Sequence, residues 1–131
     1  AGKFAGSTLG AALAPPVPLA DGGQDLYIQQ DKFRDQFAAD VPADAARLMA
    51  ATQRPIAQSA LAEGAGGPSW KNVPSWFVYG ERDKNIPPAA QAFMAARAKA
   101  VKTVVLKGGS HVVMTSRPDA VARLIAQAAA R

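Results

Sequence analysis

The sequence contains no cysteine and a single histidine. The absence of cysteine excludes a disulfide framework and thiolate chemistry, and one histidine argues against a metal site built on histidines. Long hydrophobic runs are also missing, because Pro15, Pro16 and Pro18 interrupt the longest apolar candidate before it reaches the ~18 residues of a membrane span. The sequence therefore predicts no disulfide, no metal site and no membrane as partner.

Charge of one sign is nowhere concentrated, although the formal net charge is +5. Lysine and arginine are scattered singly, with no basic run and no interleaving of arginine with aromatic residues of the kind that stacks bases. This pattern argues against nucleic acid as a partner. The first residues contain neither an initiator methionine nor a signal-peptide pattern, which we interpret as an interior start.

The 131 residues, 49% of them hydrophobic, predict one domain at most, and its first half is predicted to be irregular and helical. Residues 1–23, rich in Gly, Ala and Pro, indicate loop or extended backbone. Phe33 and Phe37 stand at helical spacing, which predicts a short amphipathic helix. Asp40, just before a Val-Pro pair, predicts a second helix, either as its cap or, alternatively, as a functional acid. The spacing within this second helix predicts one face made of Ala45, Leu48, Met49 and Thr52. A third helix is predicted at 55–63.

A glycine-rich segment at 64–68 separates this half from an alternation of strands and helices. Strands are predicted at 75–79 and 103–106, and helices at 87–99 and from residue 116 onward. Alternation of this kind indicates a parallel layer, so the predicted fold class is α/β. One side of each helix is predicted to face the sheet: Ala90, Phe93, Met94 and Arg97 in the first, and Val121, Leu124, Ile125 and Ala128 in the second.

Two loops carry the side chains best suited to catalysis. Each follows the carboxyl end of a predicted parallel strand, which is the edge where α/β sheets place their ligands. The first loop contains Glu81 and Asp83, and the second contains His111. An acid that accepts the Nδ1 proton of a histidine leaves Nε2 free to take a proton from a nucleophile. On the residues alone, either acid fits, and solvated turn residues or local ion pairs with Arg82 or Lys84 are the alternative.

Two segments resemble the α/β-hydrolase superfamily, and more narrowly its small esterase and perhydrolase-like members: PSWFVYGERDKNIPPAAQAFMAARA and VVLKGGSHVVMTSRPDAVARLI. By this resemblance the triad acid precedes an Ile-Pro pair, at Asp83, and the triad histidine follows a Gly-x-Ser, at His111. A third segment, FAADVPADAARLMAATQRPIAQSAL, resembles the helical cap of such enzymes. The resemblance implies a linker and cap at 1–67, and the carboxyl-terminal strand-helix-strand-helix part of the hydrolase core at 68–131.

The nucleophile of that family has no counterpart in the sequence. Such enzymes hold a serine in a G-x-S-x-G turn between a strand and a helix, ahead of the acid and the histidine. The nearest stretch, residues 6–10, has Ser7 one place early and too few residues before it for a strand and a turn. We therefore expect a carboxyl-terminal part of a hydrolase, with the nucleophile and oxyanion hole supplied from upstream.

The implied function is that of a serine hydrolase acting on small ester-like acyl substrates, in which Asp83 orients His111 and no cofactor is needed. Val112 and Met114 are candidates for an acyl pocket, with core packing as the alternative. The alternative function is a catalytically silent fragment, or a half that acts only when docked onto a complementary amino-terminal half carrying the serine. An open strand edge on such a piece favours a homodimer or a swapped assembly.

Overall fold

The structure, a computed structural model, describes residues 4–64 and 66–130. The remaining residues belong to the predicted linker, the glycine-rich boundary and the end of the last predicted helix, and they lie outside this description. Within the described ranges, no helix combines the length and the apolar character needed to cross a membrane.

The amino-terminal segment forms short elements where the sequence predicts only loop or extended backbone. A single turn of helix, α1 (Leu9–Ala12), precedes the strands β1 (Val17–Pro18) and β2 (Gln24–Leu26). Strand β2 pairs antiparallel with β1 on one side and with β3 (Ile56–Ala57) on the other. Strands of two or three residues are too short to show the alternation that reveals a strand in a sequence, so this sheet was not predicted.

Three helices lie within the predicted segments: α2 (Gln30–Phe37), α3 (Ala43–Ala51) and α4 (Gln58–Ala62). The prediction of the third helix was wrong at its start, because Ile56 and Ala57 form strand β3. Helix α3 follows Pro42, which occupies the N-cap position without a side-chain hydrogen bond to the helix. The prediction that Asp40 caps this helix was therefore wrong. Its carboxylate binds a distant loop instead, as described below.

The packing of α2 against α3 uses one aromatic face and one face of small residues. Phe33 is buried, with its ring centroid 5.0 Å from that of Phe37, as their helical spacing predicts. Helix α3 buries Ala46 and Ala50, whereas Leu48, predicted to lie on the packed face, is 67% exposed. Alanine allows two helix backbones to approach closely, and its burial is not signalled by strong hydrophobicity. Ala45 and Thr52 of the same predicted face are exposed as well, and only Met49 is half-buried, so the prediction of this face was wrong.

The carboxyl-terminal half has the predicted order of strand, helix, strand and helix. Strand β4 (Trp76–Gly80), helix α5 (Pro88–Arg97) and strand β5 (Lys102–Leu106) come first, followed by the single turn α6 (Val113–Ser116) and by helix α7 (Pro118–Ala129). Strands β4 and β5 pair in parallel and in register, so that their carboxyl ends lie at the same edge. This pairing places the loops after the two strands next to each other.

The buried faces of α5 and α7 are narrower than the sequence predicts. In α5 the buried residue is Ala95, while Phe93 and Met94 are exposed. In α7 Leu124 is buried and Ile125 is exposed. A two-stranded sheet offers each helix only a narrow strip of surface, so that each helix has one buried residue where the sequence predicts a wider stripe.

The end of β4 touches the loop after β5. A Cβ atom added to Gly80 would collide with the backbone carbonyl oxygens of Gly109 and Ser110. The backbone N–H of Arg82 donates a hydrogen bond to the carbonyl of Gly109 over 2.9 Å, and that of Glu81 donates to Leu106 over 3.0 Å. Backbone contacts thus bring the two loops together before any side chain is considered.

Candidate active site

The two adjoining loops place a carboxylate against the imidazole of the one histidine. Asp83 Oδ2 lies 2.8 Å from His111 Nδ1, which is hydrogen-bond distance. The side chain of Asp83 is 1% exposed, whereas that of His111 is 28% exposed. An imidazole held at Nδ1 has its other nitrogen, Nε2, available for a proton, and partial exposure leaves room for a reactant.

Four hydrogen bonds hold the carboxylate of Asp83. Oδ1 accepts from the backbone N–H groups of Asn85, at 2.8 Å, and Ile86, at 3.0 Å. Oδ2 accepts from His111 and from Nε2 of Gln91, at 2.7 Å. Burial alone would raise the pKa of Asp83, but the hydrogen bond to His111 and the N–H donors outweigh it, so the pKa lies below its ordinary value. Asp83 is therefore ionised at neutral pH.

Glu81, the other acid of the same loop, has a different partner. Its carboxylate accepts a hydrogen bond from the backbone N–H of Gly108 over 3.0 Å, and its side chain is exposed. Of the two acids that the sequence leaves open, Asp83 is the one in contact with His111.

The loop that carries His111 is held by a residue 70 positions earlier in the chain. Asp40 Oδ1 accepts hydrogen bonds from the backbone N–H of Ser110, at 3.2 Å, and from its hydroxyl. Asp40 Oδ2 lies 3.6 Å from Nη1 of Arg117. Burial raises the pKa of Asp40, but the hydroxyls of Ser110 and Ser116 and the backbone N–H groups of Ser110 and Asp40 together more than offset this effect, and the pKa lies below its ordinary value.

Hydrophobic residues flank the imidazole. The ring centroid of Phe37 lies 4.9 Å from that of His111. Val112 is buried in the core cluster that Phe33 and the α2–α3 residues form, whereas Met114 is 58% exposed. Of the two residues proposed for an acyl pocket, Val112 thus packs in the core and Met114 faces solvent.

Gln36 links helix α2 to the loop that carries Asp83. The buried side chain donates from Nε2 to the carbonyl of Lys84, at 3.1 Å, and to Asn85 Oδ1, at 2.7 Å. Its Oε1 accepts from the hydroxyl of Thr8 over 2.8 Å. Sequence reasoning did not single out Gln36, because a glutamine on a helix carries no signal of partners 48 residues away.

Ser7 lies on an irregular stretch and not at a strand-to-helix turn. Its side chain is exposed, and Oγ accepts a long hydrogen bond of 3.4 Å from the backbone N–H of Leu9. The described residues also contain no group of His, Asp and Glu that could hold a metal ion. The contact between Asp83 and His111 is suited to proton transfer by a carboxylate-oriented histidine.

Comparisons with known proteins agree with this architecture. The model of the alpha/beta hydrolase family matches residues 3–124. Polyneuridine aldehyde esterase superimposes with a TM-score of 0.71 and 16% identity, over 88% of this chain and 47% of that one. A methylesterase from Arabidopsis gives 0.69 and 16%, over 86% and 49%. E-2-(Acetamidomethylene)succinate hydrolase gives 0.51 and 25%, over 78% and 44%.

Most of this chain matches only about half of each of these structures. The chain spans about half the length of the solved structures that it matches, and a comparison with curated protein sequences gave no match. At 16% identity the two esterases show a shared fold and nothing about a shared substrate. The family model, in contrast, extends over most of the chain and includes both loops of the site. The chain belongs to the alpha/beta hydrolase family and forms part of its fold.

Proposed function

We propose that this chain supplies the acid and the histidine of a serine hydrolase that cleaves small esters or similar acyl substrates. The observation that carries the proposal is the 2.8 Å contact between Asp83 Oδ2 and His111 Nδ1 at the carboxyl ends of two parallel strands. A buried, ionised acid and a partly exposed imidazole are the arrangement that general-base catalysis requires.

In the proposed reaction, Asp83 accepts the Nδ1 proton in a hydrogen bond and fixes the tautomer of His111. Nε2 then takes the hydroxyl proton of the nucleophilic serine as its Oγ bonds to the acyl carbon. His111 returns this proton to the leaving alcohol as the ester C–O bond breaks. A water molecule then gives a proton to Nε2 as its oxygen bonds to the acyl carbon. The bond between the acyl carbon and Oγ breaks, and His111 returns the proton to Oγ, which releases the acid product and the free serine.

The ester class is part of the proposal, and the chemistry of the site and the fold neighbours support it. A histidine oriented by a carboxylate suits acyl transfer, in which a proton moves to and from an oxygen nucleophile. Two of the similar solved structures are named esterases. Their identity to this chain is low, so they support the ester class in general and no particular substrate.

The serine and the oxyanion-hole donors come, in this proposal, from a complementary amino-terminal part. Within the described residues, β4 pairs with β5 alone, so its second edge is open for a further parallel strand. The matched structures are about twice as long as this chain, which agrees with such a part. Without it, the open edge favours self-association into a homodimer or a swapped assembly.

The test is to add a carboxyl-terminal affinity tag to the gene in its native host, and to label the purified material with a fluorophosphonate. Intact-mass spectrometry then shows which polypeptide carries the label. We expect the label on a serine outside the 131 residues, on the same polypeptide or on one that co-purifies. A label on Ser7, or no labelled polypeptide at all, contradicts the proposal.

The role of Asp83 is tested in the same purified material. Asp83→Asn keeps the shape of the side chain but loses the acceptor for the Nδ1 proton, so we expect kcat to fall by about 10⁴-fold. Glu81→Gln, two residues away and exposed, is the matched control and is expected to keep the parent rate. An equal fall of kcat in both variants would contradict the assignment of this role to Asp83.

A further inference from the structure

The loop that carries His111 is held on the residues either side of the histidine. Ser110, just before it, is 2% exposed and binds Asp40 through both its N–H and its hydroxyl. Val112, just after it, is buried in the cluster of residues from α2 and α3. The position of the imidazole is therefore set from the α2–α3 side of the molecule as well as from its own strand.

Asp40 occupies the connection between α2 and α3, and its neighbours fix it there. Ala38 and Val41 are both buried in the same cluster. The side chain of Asp40 is only 12% exposed, and one of its oxygens is used for both contacts with Ser110. A buried carboxylate is costly unless hydrogen-bonded, so this side chain has little freedom to leave Ser110.

Ser110 is confined from the opposite side as well. Its carbonyl oxygen lies against Gly80 at the end of β4, at a spot where a Cβ atom would not fit. The N–H and hydroxyl point to Asp40, and the carbonyl faces β4. Two hydrogen bonds and one close backbone contact thus restrict the backbone of Ser110, the residue next to His111.

We propose that Asp40 is a positioning residue for His111, acting through the N–H and hydroxyl of Ser110. The proposal rests on the function proposed above, since it assigns a role to a residue that supports that site. The hydrogen bonds of Asp40 go to Ser110, and those of the imidazole and Asp83 go elsewhere, so Asp40 acts by fixing the loop. Because Asp40 belongs to the α2–α3 connection, a displacement of these helices would be transmitted to the histidine.

Arg117 does not account for this role. Its side chain is 45% exposed and Nη1 lies 3.6 Å from Asp40 Oδ2, beyond hydrogen-bond distance. Exposed ion pairs of this kind contribute little, whereas the contacts with Ser110 are partly buried. The anchoring therefore depends mainly on an acceptor oxygen at position 40, and the ion pair with Arg117 adds little to it.

The test variants compare loss of the acceptor oxygen at position 40 with loss of the charge alone. Asp40→Asn keeps Oδ1 as an acceptor for Ser110 and loses the charge, whereas Asp40→Ala loses both. Ser110→Ala removes the hydroxyl and keeps the N–H donor. Asp44→Ala, in the first turn of α3 and exposed, is the matched control for loss of a carboxylate close to the same connection.

In the serine-bearing hydrolase, we expect Asp40→Ala and Ser110→Ala each to lower kcat by about 10- to 100-fold with KM nearly unchanged, because a misplaced base slows the chemical step. The double variant is expected to be no slower than the slower single variant, since both changes break one contact. Asp40→Asn should restore most of the rate, and Asp44→Ala should match the parent. Additive losses, or an Asp40→Asn rate as low as that of Asp40→Ala, would overturn the proposal.

A second measurement uses the 131-residue chain and does not depend on hydrolysis. Its single histidine gives one imidazole Nδ1–H signal by NMR. We expect the two Asp40 variants to differ in these spectra as well. Asp40→Ala should speed hydrogen exchange of the Ser110 amide and shift the Nδ1–H signal, whereas Asp40→Asn should change neither. Unchanged signals in Asp40→Ala refute the positioning role. If the NMR changes are as expected but the hydrolase shows no esterase activity, the proposed function is refuted and the positioning role is not.

Discussion

One oxygen of Asp83 serves two donors. Oδ2 accepts from His111 Nδ1 over 2.8 Å and from Gln91 Nε2 over 2.7 Å. Oδ1 is occupied by two backbone N–H groups, so the carboxylate uses its roughly four acceptor positions. Two hydrogen bonds to the same oxygen weaken each other. We therefore expect the bond from Gln91 to weaken the hydrogen bond between Asp83 and His111.

Replacing Gln91 with Leu should therefore strengthen the hydrogen bond between Asp83 and His111. Leucine fills similar space but donates no hydrogen bond, and a carboxylate with fewer donors is a stronger acceptor. We expect a downfield shift of the His111 Nδ1–H resonance and a change in activity smaller than about 10-fold. Gln127→Leu, whose amide binds Lys102 away from the site, is the control. An upfield shift in Gln91→Leu would contradict this role of the glutamine.

The strands and helices of the α/β half were predictable because each has a local signal. Strand β5 is rich in β-branched residues, and prolines mark the starts of α5 and α7. Which residues the helices bury was less predictable. Leu48 and Ile125 have the hydrophobicity of core residues but lie exposed, because burial depends on how much surface the neighbouring elements offer.

The end of β4 is the element on which the site depends most directly. A Cβ at Gly80 would meet backbone carbonyl oxygens of Gly109 and Ser110, which cannot yield as a flexible side chain can. We expect Gly80→Ala to lower the free energy of unfolding by about 1–3 kcal/mol in urea titrations. It should also alter the His111 Nδ1–H signal, since the two loops are pushed apart.

Gly67→Ala is the control for this change, because no atom lies within 4 Å of the position that its Cβ would take. Its unfolding free energy should stay within about 0.5 kcal/mol of the parent. A Gly80→Ala variant as stable as Gly67→Ala would show that the two loops can separate without cost.

At the scale of the whole molecule, the site combines residues with very different sequence separations. The roles suggested for Asp83 and His111 follow from short motifs at strand ends, which a sequence displays directly. The contacts of Gln36 and Asp40 cross 48 and 70 residues, and no local pattern encodes them. Asp40 was consequently assigned to the nearest helix, although its partner is a serine beside the histidine.

The carboxylates of Asp40 and Asp83 predict how stability depends on pH. Asp40 and Asp83 both have pKa values lowered from 3.8 in the folded chain. Such groups stabilise the folded state at pH values above 3.8, and this contribution is lost as the pH falls through the lower folded-state pKa values. Urea unfolding at a series of pH values should show a steady free energy near neutral pH and a decline in acid.

Comparison with the Asp40→Asn/Asp83→Asn double variant isolates this contribution. Without the two titrating groups, its free energy of unfolding should be lower at neutral pH and should decline less in acid. Curves that run parallel for parent and double variant would mean that other carboxylates govern acid unfolding.

The acid, the histidine and their supports all lie on one continuous stretch of chain, from α2 to α6. In genetic terms, a break ahead of residue 30 leaves the whole proton-handling apparatus on one gene segment. The nucleophile precedes the acid and the histidine in this family, so such a break removes the serine but neither of its two partners. Under the proposed function, one gene segment would thus encode both groups that act with the serine.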